Sequence, residues 1–209
     1  VIQLMARQGT NRDRHLSMEH TSATPVPVAF VVMMATLMSV AAVSIDAMLP
    51  ALGQIGVDLG SANANQPQLI LSAVFGGMAV GQLIAGPVSD AVGRKPLLLW
   101  CLLVYLLGAV VCLFANNMGT MLLGRVIQGL GAAGPVVSCI SIVRDKFHGR
   151  QMAKVMSLVM MIFIMAPVLA PALGQGLMLV AHWRIISVFF VLYGLAVGAW
   201  VLISLEETL

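Results

Sequence analysis

Charge is what this chain has least of. Eleven Lys and Arg with eight Asp and Glu make up 9% of 209 residues, against 60% hydrophobic residues. A soluble domain carries about 25% charged residues, so a hydrated exterior is excluded and lipid must solvate most of the chain. Aromatic residues are also few, 6%, and do not interleave with the basic ones. The net charge of +3 therefore does not form a nucleic-acid platform. The three cysteines, Cys101, Cys112 and Cys139, fall inside apolar runs at spacings that suit neither a disulfide framework nor a zinc site, so no metal is expected. The histidines, His15, His20, His148 and His182, lie in tails or loops. With no nucleophile and base side by side and no Gly-rich phosphate loop, the sequence supports no enzyme, no ATP-driven pump and no cofactor.

What is present in excess is long apolar runs. Crossing about 30 Å of hydrocarbon takes roughly 20 mostly apolar residues, and only a helix satisfies its own backbone there. Six segments qualify, at 27–49, 67–88, 96–115, 118–143, 153–180 and 184–205, the first continuing to about residue 57 if Pro50 only kinks it. The expected fold is an all-α membrane protein: a polar tail over 1–24, then a six-span unit over 25–209. The chain opens on Val1, Met18 is a candidate start, and no cleaved signal peptide is expected. Arg7, Arg12, Arg14, Arg94, Lys95, Arg144, Lys146, Arg150 and Lys154 lie on one set of ends and Arg184 alone on the other. That asymmetry places both termini in the cytoplasm.

Two charges lie well inside the spans, Asp46 and Arg125. Facing lipid, each would cost several kcal/mol, so an interior, wetted or paired location is expected. Their helical neighbours agree: Ala42, Ser39 and Ala35 precede Asp46 in steps of three or four, and Gln128, Gly129 and Ala132 follow Arg125. At about 1.5 Å per residue, Asp46 lies roughly 28 Å from the inner edge and Arg125 about 12 Å from the outer one. A shared cavity is then geometrically open to them, with Asp46 loading and releasing a proton beside a guanidinium that cannot discharge. Two plainer roles stay open: Asp46 as a cap near the outer rim, and Arg125 as a structural cation bonded to carbonyls. The fifteen methionines fill a core or offer a soft surface to varied apolar ligands.

Between the second and third spans runs "GPVSDAVGRKPLLL", residues 86–99. Gly86 and Pro87 are expected to end the second span, Asp90 to Arg94 to form a short turn, and Pro96 to open the third. Gly93 supplies a positive φ, and Arg94 with Lys95 hold the turn on the cytoplasmic side. The stretch resembles the signature loop of the major facilitator superfamily, G-x-x-x-D-x-x-G-R-[KR], with Gly86, Asp90, Gly93, Arg94 and Lys95 at every fixed position. "LLGRVIQGLGAAG", residues 122–134, resembles the fourth-span motif of drug:proton antiporters, with Arg125, Gln128, Gly129, Gly131 and Ala133 in register. "APVLAPALGQ", residues 166–175, is similar to the fifth-span antiporter motif in the form found in the Bcr/CflA group, carried by Pro167, Pro171 and Gly174, with Ala166 and Gln175 where glycine is usual. "DAMLPALGQIGVDL", residues 46–59, resembles the end of the first span in that group.

The resemblance implies the N-terminal half of a twelve-span carrier of the bacterial inner membrane. It implies efflux of small amphiphilic drugs in exchange for protons by alternating access, with Asp46 and Arg125 in proton coupling. The loop at 86–95 would be a conformational latch, its Asp engaging the other half of the transporter and its basic residues holding one access state. The implied partners are the bilayer, the drug, protons and a missing C-terminal half or second copy. A carrier of a different small metabolite, and a truncated remnant or assembly module, are the competing expectations.

Overall fold

The computed structural model describes residues 27–61, 63 and 65–205. The tail over 1–24, with Arg7, Arg12 and Arg14, lies outside them. The described chain is helical throughout: α1 (Val28–Asp46), α2 (Leu52–Asp58), α3 (Leu69–Val92), α4 (Arg94–Leu113), α5 (Met118–Lys146), α6 (Gly149–Val180) and α7 (Arg184–Ser204), with short 3-10 turns at Leu49–Ala51 and Gln66–Gln68. Six spans are long and apolar enough to cross a membrane, α1 and α2 together making the first.

The end of the second span differs from the sequence reading, whereas the first and fifth spans run as far as expected. The first span continues past Pro50 to Asp58, as expected, but as two α-helices joined by a short 3-10 turn rather than one kinked helix. Proline brings no N–H to the carbonyl four residues back, and its ring crowds that carbonyl. The α-helix accordingly stops at Asp46, and Pro50 sits in the Leu49–Ala51 turn before α2 begins. Gly86 and Pro87, conversely, do not stop the second span. Helix α3 runs through Pro87 to Val92 and ends at Gly93, whose φ of 101° is a conformation that side chains with a Cβ rarely adopt. Asp90 therefore lies in the last turn of α3 rather than in a loop, and one residue joins α3 to α4. The fifth span is unbroken too, with Pro167 and Pro171 inside α6.

Helix α5 is the hub. It packs along α3 and α4 and touches α1, while α1 also rests on α6 and α7 packs on α4. Asn117 starts α5 by accepting the Thr120 N–H at 2.8 Å, and Arg144 and Lys146 occupy its last turn, where cations favour the carbonyl end. Lipid supplies no hydrophobic drive between helices, so close contact has to come from small residues. Gly77 and Gly81 of α3 lie on the α5 backbone near Val126 and Leu130, and Gly108 of α4 lies on Gln128. The result is an enclosed first span, 67% buried along its most apolar stretch, and an outward α6, 17% buried along its own. Exposed Met161, Ile164, Met165 and Val168 mark that outer face of α6.

Candidate functional site

The break at Pro50 creates the site around Arg125. In a continuing α-helix the Met48 N–H would bond to the Ser44 carbonyl; here it reaches Ile45 instead, at 3.4 Å. The Ser44 carbonyl is left at the C-terminal end of α1, where unpaired carbonyls carry partial negative charge. Arg125 fills it: its Nη1 donates to the Ser44 carbonyl at 3.0 Å and to Gln128 Oε1 at 3.1 Å. The guanidinium also lies 5.5 Å from the centre of the Phe190 ring, within cation–π range. Arg125 is fully buried, and no described protein group pairs with its Nε and Nη2.

Tyr105 completes the cluster from α4. Ser44 Oγ has one proton and gives it to the Val40 carbonyl, so the Tyr105 hydroxyl is the donor in its 2.8 Å contact with Ser44 Oγ. Ser44 is thus held from two helices, Tyr105 on its side chain and Arg125 on its carbonyl. The expectation that Arg125 faces a watery cavity is corrected: it is sealed inside the six-helix unit. Asp46, two residues beyond Ser44, is half-buried and pairs with no described residue; in particular it forms no ion pair with Arg125. The cation is solvated by a carbonyl, an amide and a ring.

Small residues let these groups meet. A Cβ at Gly131 would fall 2.2 Å from the Tyr105 nitrogen and one at Gly129 2.2 Å from the Val74 carbonyl, so both positions exclude any larger residue. Ala133 meets Gly81 of α3. From the other side, a Cβ at Gly174 of α6 would lie 2.0 Å from the Ala47 carbonyl oxygen and 3.1 Å from Pro50, which seats the broken end of the first span on the fifth-span motif. Pro171 is half-buried beside it and Pro167 is exposed.

The loop at 86–95 forms a second cluster at the basic end. Arg94 donates from Nη1 to Ser89 Oγ at 2.7 Å and to Asp90 Oδ1 at 2.5 Å, and from Nε to Asp145 Oδ2 at 3.0 Å. It therefore ties α3 to the end of α5. Lys95 Nζ donates to the Leu202 carbonyl of α7 at 3.2 Å, capping that helix end. Gly86 has no atom within 4 Å of where its Cβ would stand, and the Asp90 side chain is 71% exposed, so both face outward from this unit. The residues the sequence reading missed are Ser44, Tyr105, Phe190 and Asp145. Only Asp145 had a visible signal, as an acid between Arg144 and Lys146. Cys112 and Cys139 are buried and Cys101 half-buried, all three as free thiols.

A described chain made of six helices long and apolar enough to cross a membrane is that of a multi-pass membrane protein. The Major Facilitator Superfamily pattern matches residues 27–208, and the chain belongs to that family. It is 36% identical over 168 residues to the "Uncharacterized MFS-type transporter YdgK" of Bacillus subtilis (strain 168), covering 79% of this chain and 42% of that protein. It is 34% identical over 166 residues to the "Multidrug resistance protein MdtL" of Salmonella paratyphi C (strain RKS4594), covering 78% of this chain and 41% of the relative. Against the MdtL of Klebsiella pneumoniae (strain 342) the identity is 35% over 166 residues, with 78% and 42% covered. The chain thus spans about two fifths of the length of these relatives. Among solved structures, the human organic anion transporter MFSD10 (TETRAN) shares the fold, with a TM-score of 0.68 over 88% of this chain and 49% of that one at 20% identity.

Proposed function

We propose that this chain forms the six-span N-terminal half of a Bcr/CflA-type drug:proton antiporter of the bacterial inner membrane, with both termini cytoplasmic. The observation that carries the reading is the placement of Arg125: a permanent cation, fully buried, held by the carbonyl that the first-span break sets free, two residues from Asp46. A cation bound by neutral dipoles is responsive to any carboxylate brought near it, because a full negative charge competes with a carbonyl in a low dielectric. Asp46 lies at the same break. Its ionised form is drawn towards Arg125 and its protonated form released, which links proton loading to the shape of the first span. The relatives named multidrug resistance proteins support amphiphilic small molecules as cargo. The match of Gly86, Asp90, Gly93, Arg94 and Lys95 to the superfamily loop supports a latch that holds one access state against a second six-span unit.

The test is proton release driven by an amphiphilic cationic dye in everted vesicles. Made in the complete carrier with both six-span halves present, Asp46→Asn and Arg125→Ala are each expected to abolish coupled efflux while membrane insertion is kept. Coupled efflux retained by either variant would overturn the assignment of that residue.

A further inference from the structure

We propose that the outer segment of the first span is a strap, hinged at Pro50 and fastened to the start of α7 by Asp58, and that protonation of His182 tightens it. The inference uses neither Asp46 nor Arg125 and goes beyond the antiport reading.

The strap is α2. Its near end follows the break at Leu49–Ala51, where no α-helical hydrogen bonding couples it rigidly to α1. Along its length one side is packed, with Ile55 buried and Gly56 tight against Pro67, while Val57 is 82% exposed. The far end is held by one carboxylate oxygen that serves two side chains 125 residues away in the chain. Asp58 Oδ2 accepts the Trp183 Nε1–H at 2.8 Å and lies 2.6 Å from His182 Nε2. The anchored side is stiff. Trp183 is fully buried, Arg184 stacks on it with its guanidinium 4.5 Å from the ring centre, and Arg184 Nη2 donates to the Ala115 carbonyl at 3.0 Å.

These contacts make a two-state element. Releasing Asp58 strips a buried indole N–H of its acceptor, which disfavours partial opening. One of the two donors changes charge with pH. The charged groups around His182 are Asp58 from α2 and Arg184 from the start of α7; residues 177–181 and the α4–α5 connection (114–117) contribute no titratable side chain. With His182 protonated, the contact is an ion pair; as pH rises and the ring loses its proton, the attraction falls to a neutral hydrogen bond. The side chains of His182 and Asp58 are 44% and 33% exposed, so solvent screens the pair and the closed-to-open ratio should change by roughly two- to five-fold.

Hydrogen exchange of the α2 amides, measured on the whole chain in lipid nanodiscs and corrected for the intrinsic pH dependence, reads that ratio directly. At about pH 5.5 the protection of 52–58 should be two- to five-fold higher than at about pH 8. His182→Gln should make protection pH-independent, His182→Lys should keep it high at both, and Asp58→Asn should remove the response while leaving an acceptor for Trp183. Equal wild-type protection at both pH values, or a response that survives in His182→Gln, would overturn the strap. One buffer bathes both faces, so the result is independent of transport. An inactive carrier with a pH-dependent strap refutes the antiport reading alone, and an active carrier with a pH-blind α2 refutes the strap alone.

Discussion

The two arginines at the heart of this molecule are solvated by opposite means. Arg94, at the basic end of the bundle, meets two carboxylates and a hydroxyl, one carboxylate 71% exposed. Arg125, inside the bundle, meets a carbonyl, an amide oxygen and a ring, with no carboxylate among its described contacts. At a wet rim a full countercharge is cheap to keep and gains little, because water screens it. Inside, a second ion would add its own desolvation cost, whereas dipoles already fixed by a helix end add none. The first arrangement braces helices together. The second holds a cation with dipoles alone, and no carboxylate stands among its described contacts.

This contrast is broken most severely at the buried end. Arg125→Met is expected to lose proton-coupled efflux altogether, yet to unfold at a midpoint no lower than wild type, because removing an unneutralised buried charge relieves a cost; a lowered midpoint in detergent would count against it. Gly131→Val forces a side chain into the α4 backbone and should destabilise the bundle by about 2–3 kcal/mol, seen as loss of folded protein in thermal scans. Tyr105→Phe removes the hydroxyl that holds Ser44 and should cost about 1 kcal/mol, with the transport defect exceeding the stability defect if Ser44 positions Arg125. Asp145→Asn at the rim should cost under about 1 kcal/mol, and raising the salt should erase the difference. Gly86→Ala should leave stability within about 0.5 kcal/mol, since its surroundings are open. A transport loss in that stable variant would place its role against a partner unit.

How much could be read without coordinates divides along the same line. Helix existence is set by apolar runs, and the spans fell close to 28–58, 69–92, 94–113, 118–146, 149–180 and 184–204 because lipid leaves the backbone no other option. Proline misled once, at Pro87, through which the second span runs on. Pro50 broke its helix and Pro87 did not, and nothing in either local sequence states which carbonyl each ring will crowd or what packs beside it. The rim cluster was half legible: Gly93, Arg94 and Lys95 stand in a recognisable loop, whereas Asp145 arrives from a helix 51 residues on. The buried site was least legible. A stripe of glycine and alanine shows that α5 is closely packed, but periodicity does not fix the rotation that turns Arg125 towards Ser44 instead of a cavity. Ser44 itself was invisible, since its contribution is a backbone carbonyl whose helical partner, the Met48 N–H, turns to Ile45 instead.

That freed carbonyl bears on how the protein is made. The first span is synthesised before the fourth, so the Ser44 carbonyl is in the chain before the Arg125 that binds it. A segment carrying a permanent cation enters membranes poorly by itself. Here the docking place precedes the guest, and the fourth span can settle by adding to the first rather than by its own greasiness.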